Sequence, residues 1–258
     1  MIDTVTFDLW NTLISNWPID HYRYKHMRLE KIMQLFTQKG ITVRYDDLSQ
    51  AYDSGFELCK KTWEINQDLS TEEQLDMILQ LLPCEIPKSI SSDMMPDMVE
   101  SFVTPLLEDP PPLIEGARET VERIREEKYK IGLICNTGRT PGSTIRILLE
   151  RLGMLNCFNL TVFSNELKIR KPDSRIFLHT LNRLRSSPQN SLHVGDMLEL
   201  DVVGAKGAGM ISAYFNLNHA PVERIVPDFT IYHLTELEHI LVELNKDNRC
   251  EQSSSDFV

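Results

Sequence analysis

The sequence predicts an α/β fold, a doubly wound parallel sheet interrupted by a helical insert. From residue 109 to residue 244, short apolar runs alternate with segments whose apolar residues recur every three or four positions, the pattern of strands followed by helices. Another apolar run, from Ile2 to Phe7, opens the chain, but the helical pattern of residues 15–108 separates it from the others. Strands that alternate with helices pair in parallel through right-handed crossovers. We therefore expect a core domain of residues 1–14 and 109–244, and a separate helical domain between them.

Four amphipathic helices are expected in the insert. The first has one apolar stripe at positions i, i+3, i+4 and i+7, formed by Leu29, Ile32, Met33 and Phe36. Asp46 or Asp47 is expected to cap the second helix, and Ser70 with Glu73 is expected to form a capping box before the third. A fourth helix is expected from Asp93 to Leu107.

In the core domain, five further strands are expected after a proline-rich joint at residues 108–112. These strands are Tyr129–Cys135, Leu160–Phe163, Leu192–Val194, Met210–Phe215 and Phe229–Tyr232. A last helix is expected from Thr235 to Leu244. Residues 245–258 are polar and Ser-rich without periodicity, so we expect them to be disordered.

The composition is that of a globular protein and argues against two classes of partner. Of the 258 residues, 41% are hydrophobic and 25% are charged, which is enough for a full core. The formal charge of −11 argues against nucleic acid and against an anionic membrane, because both attract an excess of lysine and arginine. No apolar run approaches the roughly 20 residues that span a bilayer, no signal peptide is visible, and the five cysteines show neither metal-ligand spacing nor a disulfide pattern. We expect a cytoplasmic protein, and the sequence does not indicate its oligomeric state.

Polar residues follow the predicted strands at four places, and the carboxyl ends of parallel strands open into one crevice. They are Asp8 after the first strand, Asn136 and Thr137 after Cys135, Lys171 after the third strand, and the pair Asp196 and Asp201. Three acids and a lysine in a crevice suit phosphoryl transfer to a carboxylate with Mg²⁺, which prefers oxygen ligands. A carboxylate nucleophile divides hydrolysis into two easier steps.

These motifs, in this order, resemble those of the haloacid dehalogenase superfamily of hydrolases. The resemblance covers the whole length that we expect to be ordered, and includes the run Lys171-Pro172-Asp173 and the pair Gly195-Asp196 followed by Asp201. It implies a Rossmann-like core, with residues 15–108 as a helical cap that closes over a small-molecule substrate and excludes water.

The resemblance also implies roles for individual residues. Asp8 would be the nucleophile and a metal ligand, and Trp10 would offer only its backbone carbonyl to the metal. Asp196 would be the second carboxylate ligand, and Asp201 a supporting acid near Lys171. The implied cofactor is Mg²⁺.

Two positions depart from the family's pattern. Phosphatases of the family usually carry a second Asp two residues after the nucleophile, which protonates the leaving oxygen and then activates water. Here that position is Trp10, which cannot transfer protons, and such acid–base help is worth about 10²–10⁴ in rate. The Ser or Thr that binds the transferring phosphate aligns with Cys135, and Thr137 is the alternative. Asn136 and Lys171 complete the expected phosphate-binding set.

We therefore expect a Mg²⁺-dependent phosphatase that acts on a small phosphorylated metabolite, a phosphate ester, through an aspartyl phosphate. One alternative is a metal-independent dehalogenase, because an aromatic residue at position 10 is similar to the 2-haloacid dehalogenases, whose halide leaves without a proton. The other is a ligand-binding protein with little turnover. Retention of Asp196 and Asp201 favours the phosphatase. Nearby, Arg139 with Thr140 could contact the substrate, although an exposed Arg at a helix start is commoner and is what we expect. His193 is expected to be a satisfied core histidine.

Overall fold

The computed structural model describes residues 1–15, 21–83, 86, 92–222 and 224–255. The strands are β1 (Thr4–Phe7), β2 (Lys130–Cys135), β3 (Leu160–Phe163), β4 (Ser191–Gly195), β5 (Ile211–Phe215) and β6 (Phe229–Ile231). They form one parallel sheet in the order β3–β2–β1–β4–β5–β6. The sheet grows outward from β1 in one direction and from β4 in the other, so the predicted doubly wound α/β fold is confirmed.

The register of the sheet brings the ends of three strands level. Phe7 of β1 is paired with Leu133 of β2 and with Val194 of β4. Every residue of β1 is buried, which explains its continuous apolar pattern. The segments that follow these three strands therefore leave the same edge of the sheet, at the point where the strand order reverses.

The described part of the insert forms four helices: α1 (His21–Gln38), α2 (Tyr45–Glu64), α3 (Thr71–Gln80) and α4 (Met95–Glu108). The predicted capping box before α3 is confirmed, because the Ser70 hydroxyl accepts from the Glu73 N–H and the Glu73 carboxylate accepts from the Ser70 N–H. The prediction that Asp46 or Asp47 caps α2 is wrong. Both acids lie inside the first turn of α2, where the helix dipole favours negative charge.

The core domain contributes the flanking helices α5 (Ala117–Glu126), α6 (Gly142–Arg151), α7 (Ser164–Leu167), α8 (Ser174–Leu184), α9 (Val203–Gly207) and α10 (Leu237–Ser255). The disorder expected from residue 245 is corrected for residues 245–255, because α10 continues to Ser255. Residues 256–258 lie outside the described residues. Among the helices of the described chain, none is both long and apolar enough to cross a membrane.

Buried apolar side chains form one cluster around the sheet, which Tyr24 and Leu106 of the insert join, and another within the insert. The large cluster around β1 includes Phe7, Leu133 and Val194. The cluster of the insert contains buried residues from Leu29 to Phe102 and no strand residue. The division into a core domain and an inserted domain stays a prediction, and these separate clusters support it.

Candidate active site

Asp8 lies directly after β1, in a tight turn that fixes its carboxylate. Its backbone N–H donates to the Val194 carbonyl at 2.8 Å, which continues the sheet by one bond. Asn11 then adopts a φ of 57°, a left-handed conformation in which Asn is enriched. The turn brings Thr12 back, so that its hydroxyl donates to Asp8 Oδ2 at 3.2 Å. The Asp8 carboxylate is therefore held at the edge of the sheet, with 6% of the residue exposed.

Lys171 joins Asp8 to Asp201 in a buried ion-pair cluster. Its Nζ lies 2.5 Å from Asp8 Oδ1 and 2.6 Å from Asp201 Oδ1. Asp201 also has His193 Nε2 at 3.2 Å from Oδ1, and accepts from the Met197 N–H at 3.0 Å on Oδ2. Both oxygens of Asp201 therefore contact neighbouring residues, and its supporting role stays a prediction.

Two residues of β4 allow Asp201 to pack against the strand. A Cβ at Gly195 would overlap the Asp201 side chain, so this position needs glycine. His193 is buried, as predicted, and its Nδ1 lies 2.8 Å from the Thr6 hydroxyl. Because burial lowers the pKa of His193, the ring is neutral near pH 7 and adds no positive charge to the cluster.

The cluster carries more negative than positive charge. Burial raises the pKa of Asp8 to about 6, although Lys171 opposes the shift. Burial and the charge of Asp8 raise the pKa of Asp196 to about 8. Burial also works against ionisation of Asp201, but Lys171 outweighs it and holds the pKa of Asp201 well below its usual range. A single lysine therefore faces three carboxyl groups that compete for it.

The three acids are close enough to share a cation. Oxygen atoms of Asp8, Asp196 and Asp201 lie within 4.8 Å of one another. Carboxylate oxygens at this spacing fit a hard divalent cation, whose charge would offset the burial and the mutual repulsion that raise the pKa values of Asp8 and Asp196. Asp8 accepts from Lys171 and Thr12 much as Asp201 accepts from Lys171 and Met197, so the assignment of Asp8 and Asp196 as the metal ligands stays a prediction. Ligation by the carbonyl of Trp10, which lines the same cavity, stays a prediction.

A cavity of about 640 Å³ extends from these acids to the insert, a volume typical of small-molecule sites. We call its two ends the core-side half and the insert-side half. The core-side half is lined by Asp8, Lys171, Asp196 and Asp201. The insert-side half is lined by Arg28, Tyr52, Phe56 and Arg139.

The residues expected to bind phosphate after β2 are not all brought to the cavity. Cys135 is fully buried in the apolar core cluster, away from the cavity lining, and burial raises the pKa of its thiol well above the ordinary value. We therefore remove Cys135 from the expected set. Asn136 and Thr137 line the cavity. The Asn136 amide donates to the Lys171 carbonyl at 3.1 Å and accepts from the Lys171 N–H at 2.9 Å, so it positions the lysine.

Sequence reasoning missed Asp68, which lies between α2 and α3. Asp68 is buried, and its Oδ2 accepts hydrogen bonds from Thr137, at 3.2 Å, and from Ser164. The same oxygen accepts from Arg170 Nη1 at 2.8 Å. Asp68 thereby ties the insert to the core beside the cavity. In the sequence it is one of several acids in the polar stretch 64–73, and no signal distinguishes it.

The expectation that Arg139 is exposed is wrong. Only 9% of the residue is exposed, and its guanidinium lies 4.2 Å from the ring centroid of Tyr52 and 4.8 Å from that of Phe56. The insert supplies both rings, so its packing over the loop after β2 buries the arginine. In the sequence, only the position of Arg139 close to the end of a strand indicated that it could lie at the site.

The fold and the site together define a hydrolytic enzyme of the α/β class. A sequence model of the haloacid dehalogenase-like hydrolase family matches residues 2–209, and the chain belongs to this family. The family and the enzyme class predicted from the motifs are therefore confirmed.

Individual relatives extend this result. The chain is 27% identical to a glyceraldehyde 3-phosphate phosphatase of Pyrococcus furiosus over 96% of this chain and 95% of that protein. It is 36% identical to a pyrimidine 5′-nucleotidase of Escherichia coli over 55% of this chain and 62% of that protein. The structure is similar to that of a 2-haloacid dehalogenase from Pseudomonas syringae, with a TM-score of 0.69, 23% identity, and coverage of 95% of this chain and 100% of that one. This last likeness shows a shared fold alone.

Proposed function

We propose that the protein is a Mg²⁺-dependent phosphatase that hydrolyses a small phosphorylated metabolite through an aspartyl phosphate on Asp8. The observation that carries the proposal is the buried cluster in which Lys171 contacts Asp8 and Asp201 while Asp196 adds a further carboxylate oxygen within 4.8 Å. A dianionic phosphate could not approach these acids without a cation, and their oxygen donors suit Mg²⁺. The name of the Pyrococcus furiosus relative, which matches over nearly the whole chain, supports phosphate release.

Each residue of the cluster has a distinct part in the proposed reaction. A carboxylate oxygen of Asp8 attacks phosphorus, and the leaving oxygen departs with the electron pair of its bond to phosphorus. Lys171 stabilises the charge of the transferring phosphoryl group, and Asp201 and Asn136 hold Lys171 in place. When bound by Asp8 and Asp196, Mg²⁺ supplies charge neutralisation between the carboxylates and the phosphate. Water then hydrolyses the aspartyl phosphate, which releases inorganic phosphate and restores Asp8.

Trp10 decides which phosphates should react fastest. It lies beside Asp8 in the cavity lining and cannot protonate a leaving oxygen. Esters with acidic leaving groups need no proton, whereas alkyl esters lose the factor of about 10²–10⁴ that acid–base catalysis contributes. We therefore expect p-nitrophenyl phosphate and acetyl phosphate to be hydrolysed faster than simple alkyl phosphates.

The test compares three conditions with the same preparation. Phosphate release from p-nitrophenyl phosphate and acetyl phosphate is measured with Mg²⁺ and again with EDTA, and chloride release from 2-chloropropionate is measured without metal. Release of phosphate that EDTA abolishes is the expected result. Chloride release without metal would instead identify a dehalogenase, the second candidate, which the aromatic residue at position 10 favours. No release in any condition would contradict both enzymatic proposals and leave a ligand-binding protein.

A further inference from the structure

Arg139 is a buried cation whose hydrogen-bonding capacity is mostly unused. Its Nη2 donates to the Tyr52 carbonyl at 3.0 Å, but Nε and Nη1 are shielded from solvent and have no hydrogen-bond partner. The rings of Tyr52 and Phe56 offer cation–π contacts, which attract the charge but accept few of its N–H groups. A buried donor without an acceptor keeps its desolvation penalty, and the penalty is larger when the donor is charged. The protein therefore maintains an unfavourable arrangement at this end of the cavity.

Arg28 brings a second cation to the same end. Its three nitrogen atoms donate to the Phe102 carbonyl at 2.9 Å, the Tyr52 hydroxyl at 3.0 Å and the Thr140 hydroxyl at 3.1 Å. All three acceptors are uncharged. Arg28 and Arg139 share Tyr52, and both residues line the insert-side half of the cavity.

The other cations of the cavity lining already have carboxylate partners. Lys25 pairs with Asp53 at 2.7 Å, Arg170 with Asp68 at 2.8 Å, and Lys171 with Asp8 and Asp201. Within the described residues, neither Arg28 nor Arg139 has a carboxylate oxygen within 4.0 Å. An isolated buried charge is costly unless a partner compensates it. The substrate is the partner that a cavity-lining pair of this kind can still acquire.

We infer that the insert-side half of the cavity binds a second anionic group of the substrate, with Arg139 as its principal ligand and Arg28 as the neighbouring positive charge. The inference rests on the proposed function, because it takes the phosphate that is cleaved to lie at Asp8 and Lys171. The substrate is then a short phosphate monoester that carries a carboxylate or a second phosphate at its other end. Binding turns the Arg139 guanidinium towards the cavity, so that Nε and Nη1 gain the acceptor that they lack.

Three esters of a three-carbon chain test the inference. Glycerol 3-phosphate has an uncharged remainder, 3-phosphoglycerate has a carboxylate, and propane-1,3-diol bisphosphate has a second phosphate. Since hydrogen bonds to charged groups are worth about 1.5–3 kcal/mol, we expect kcat/KM for one or both anionic esters to exceed that for glycerol 3-phosphate about 10- to 100-fold. The ester that shows the larger factor identifies the anion as carboxylate or phosphate.

Substitutions then assign the preference to Arg139. Arg139→Met removes the charge, keeps an apolar side chain against the rings, and should reduce the ratio of anionic to uncharged ester towards one. Arg139→Lys should retain part of the ratio. Arg183→Met, the same substitution at an exposed position on α8, should leave the ratio as it is in the wild type. Circular dichroism verifies that each variant is folded, and the comparison of esters on the wild-type protein needs no variant.

Calorimetric binding of the three esters separates failure of this inference from failure of the proposed function. Hydrolysis of all three esters at similar kcat/KM would overturn the second-anion site and leave the phosphatase proposal standing. Tighter binding of the anionic esters that Arg139→Met abolishes would support the site, and it would overturn the phosphatase proposal only if p-nitrophenyl phosphate also releases no phosphate with Mg²⁺. Equal binding of the three esters, with no phosphate release from them or from p-nitrophenyl phosphate, would overturn both.

Discussion

The two halves of the cavity differ in how their buried cations are paired. In the core-side half, Lys171 lies within 2.6 Å of two carboxylates. In the insert-side half, the buried Arg28 and Arg139 have no carboxylate partner among the described residues. The core-side half has an excess of negative charge, because Asp8, Lys171 and Asp201 are joined by Asp196. The insert-side half has an excess of positive charge.

The difference indicates which ligand each half lacks. The attraction within a buried ion pair offsets much of the desolvation penalty of its two charges. An unpaired buried charge keeps that penalty until a ligand compensates it. The core-side half needs a cation before it can accept a phosphate. The insert-side half needs an anion. One substrate with two anionic ends, together with one divalent cation, would satisfy both halves of the cavity.

The largest expected effect comes from removing the nucleophile of the core-side half. Asp8→Asn keeps the shape of the side chain but cannot form the acyl phosphate, so kcat for p-nitrophenyl phosphate should fall at least about 10³-fold. The matched variant is Asp53→Asn in the insert, where the exposed carboxylate pairs with Lys25. Its kcat for p-nitrophenyl phosphate should fall at most about fivefold, which corresponds to about 1 kcal/mol. Equal losses in steady-state assays of the two variants would contradict the assignment of Asp8.

The next effect is on stability. Lys171→Met leaves Asp8 and Asp201 buried without their shared cation, and breaking a buried pair in this way costs about 3–5 kcal/mol. Lys206→Met removes an exposed lysine that pairs with Asp228 at 3.0 Å, and should cost about 1 kcal/mol or less. Urea denaturation in EDTA measures both values. Similar midpoints for the two variants would show that the core-side cluster does not stabilise the fold.

These contrasts also mark what the sequence could and could not predict. The strands, the family and the acids at strand ends were predictable, because apolar periodicity and short spacings are local properties. The partners of Arg139 and Asp68 were not, since they depend on how the insert packs over the core. Cys135 could not be placed from the sequence either. Its alignment suggested a phosphate ligand, but its side chain, at the end of β2, lies in the apolar core.

The acids of the core-side half predict a pH dependence for the metal-free protein. The pKa of Asp196 is raised to about 8 and that of Asp8 to about 6, so the folded state binds more protons than the unfolded state as far as pH 8. Their contribution to stability is complete at low pH and is lost as pH rises through these values. His193, whose pKa is lowered, acts in the opposite direction only below about pH 6.5, where the unfolded histidine gains a proton.

Between pH 6.5 and pH 8.5 the free energy of unfolding in EDTA should therefore fall by about 1–2 kcal/mol. Thermal unfolding across this range measures the change. Asp196→Asn should remove most of it, and so should saturating Mg²⁺, which favours the ionised carboxylates. An identical slope in wild type and in Asp196→Asn would show that Asp196 is already ionised at pH 6.5.

The smallest expected effect on stability is the one that separates the two halves most sharply. Arg139→Met deletes a buried cation as Lys171→Met does, yet it leaves no carboxylate behind and removes the unpartnered Nε and Nη1. We expect the free energy of unfolding to change by less than about 1 kcal/mol or to increase, because apolar replacement of a poorly compensated buried charge is often neutral or stabilising. Arg28→Met is the matched comparison. It leaves the acceptors on Phe102, Tyr52 and Thr140 without their donor, so it should lower the free energy of unfolding by about 1–3 kcal/mol. Urea denaturation of the two variants measures both free energies of unfolding. If Arg139→Met lowers the free energy of unfolding as much as Lys171→Met does, both halves of the cavity stabilise the fold. The unpaired guanidinium is then not kept for a ligand.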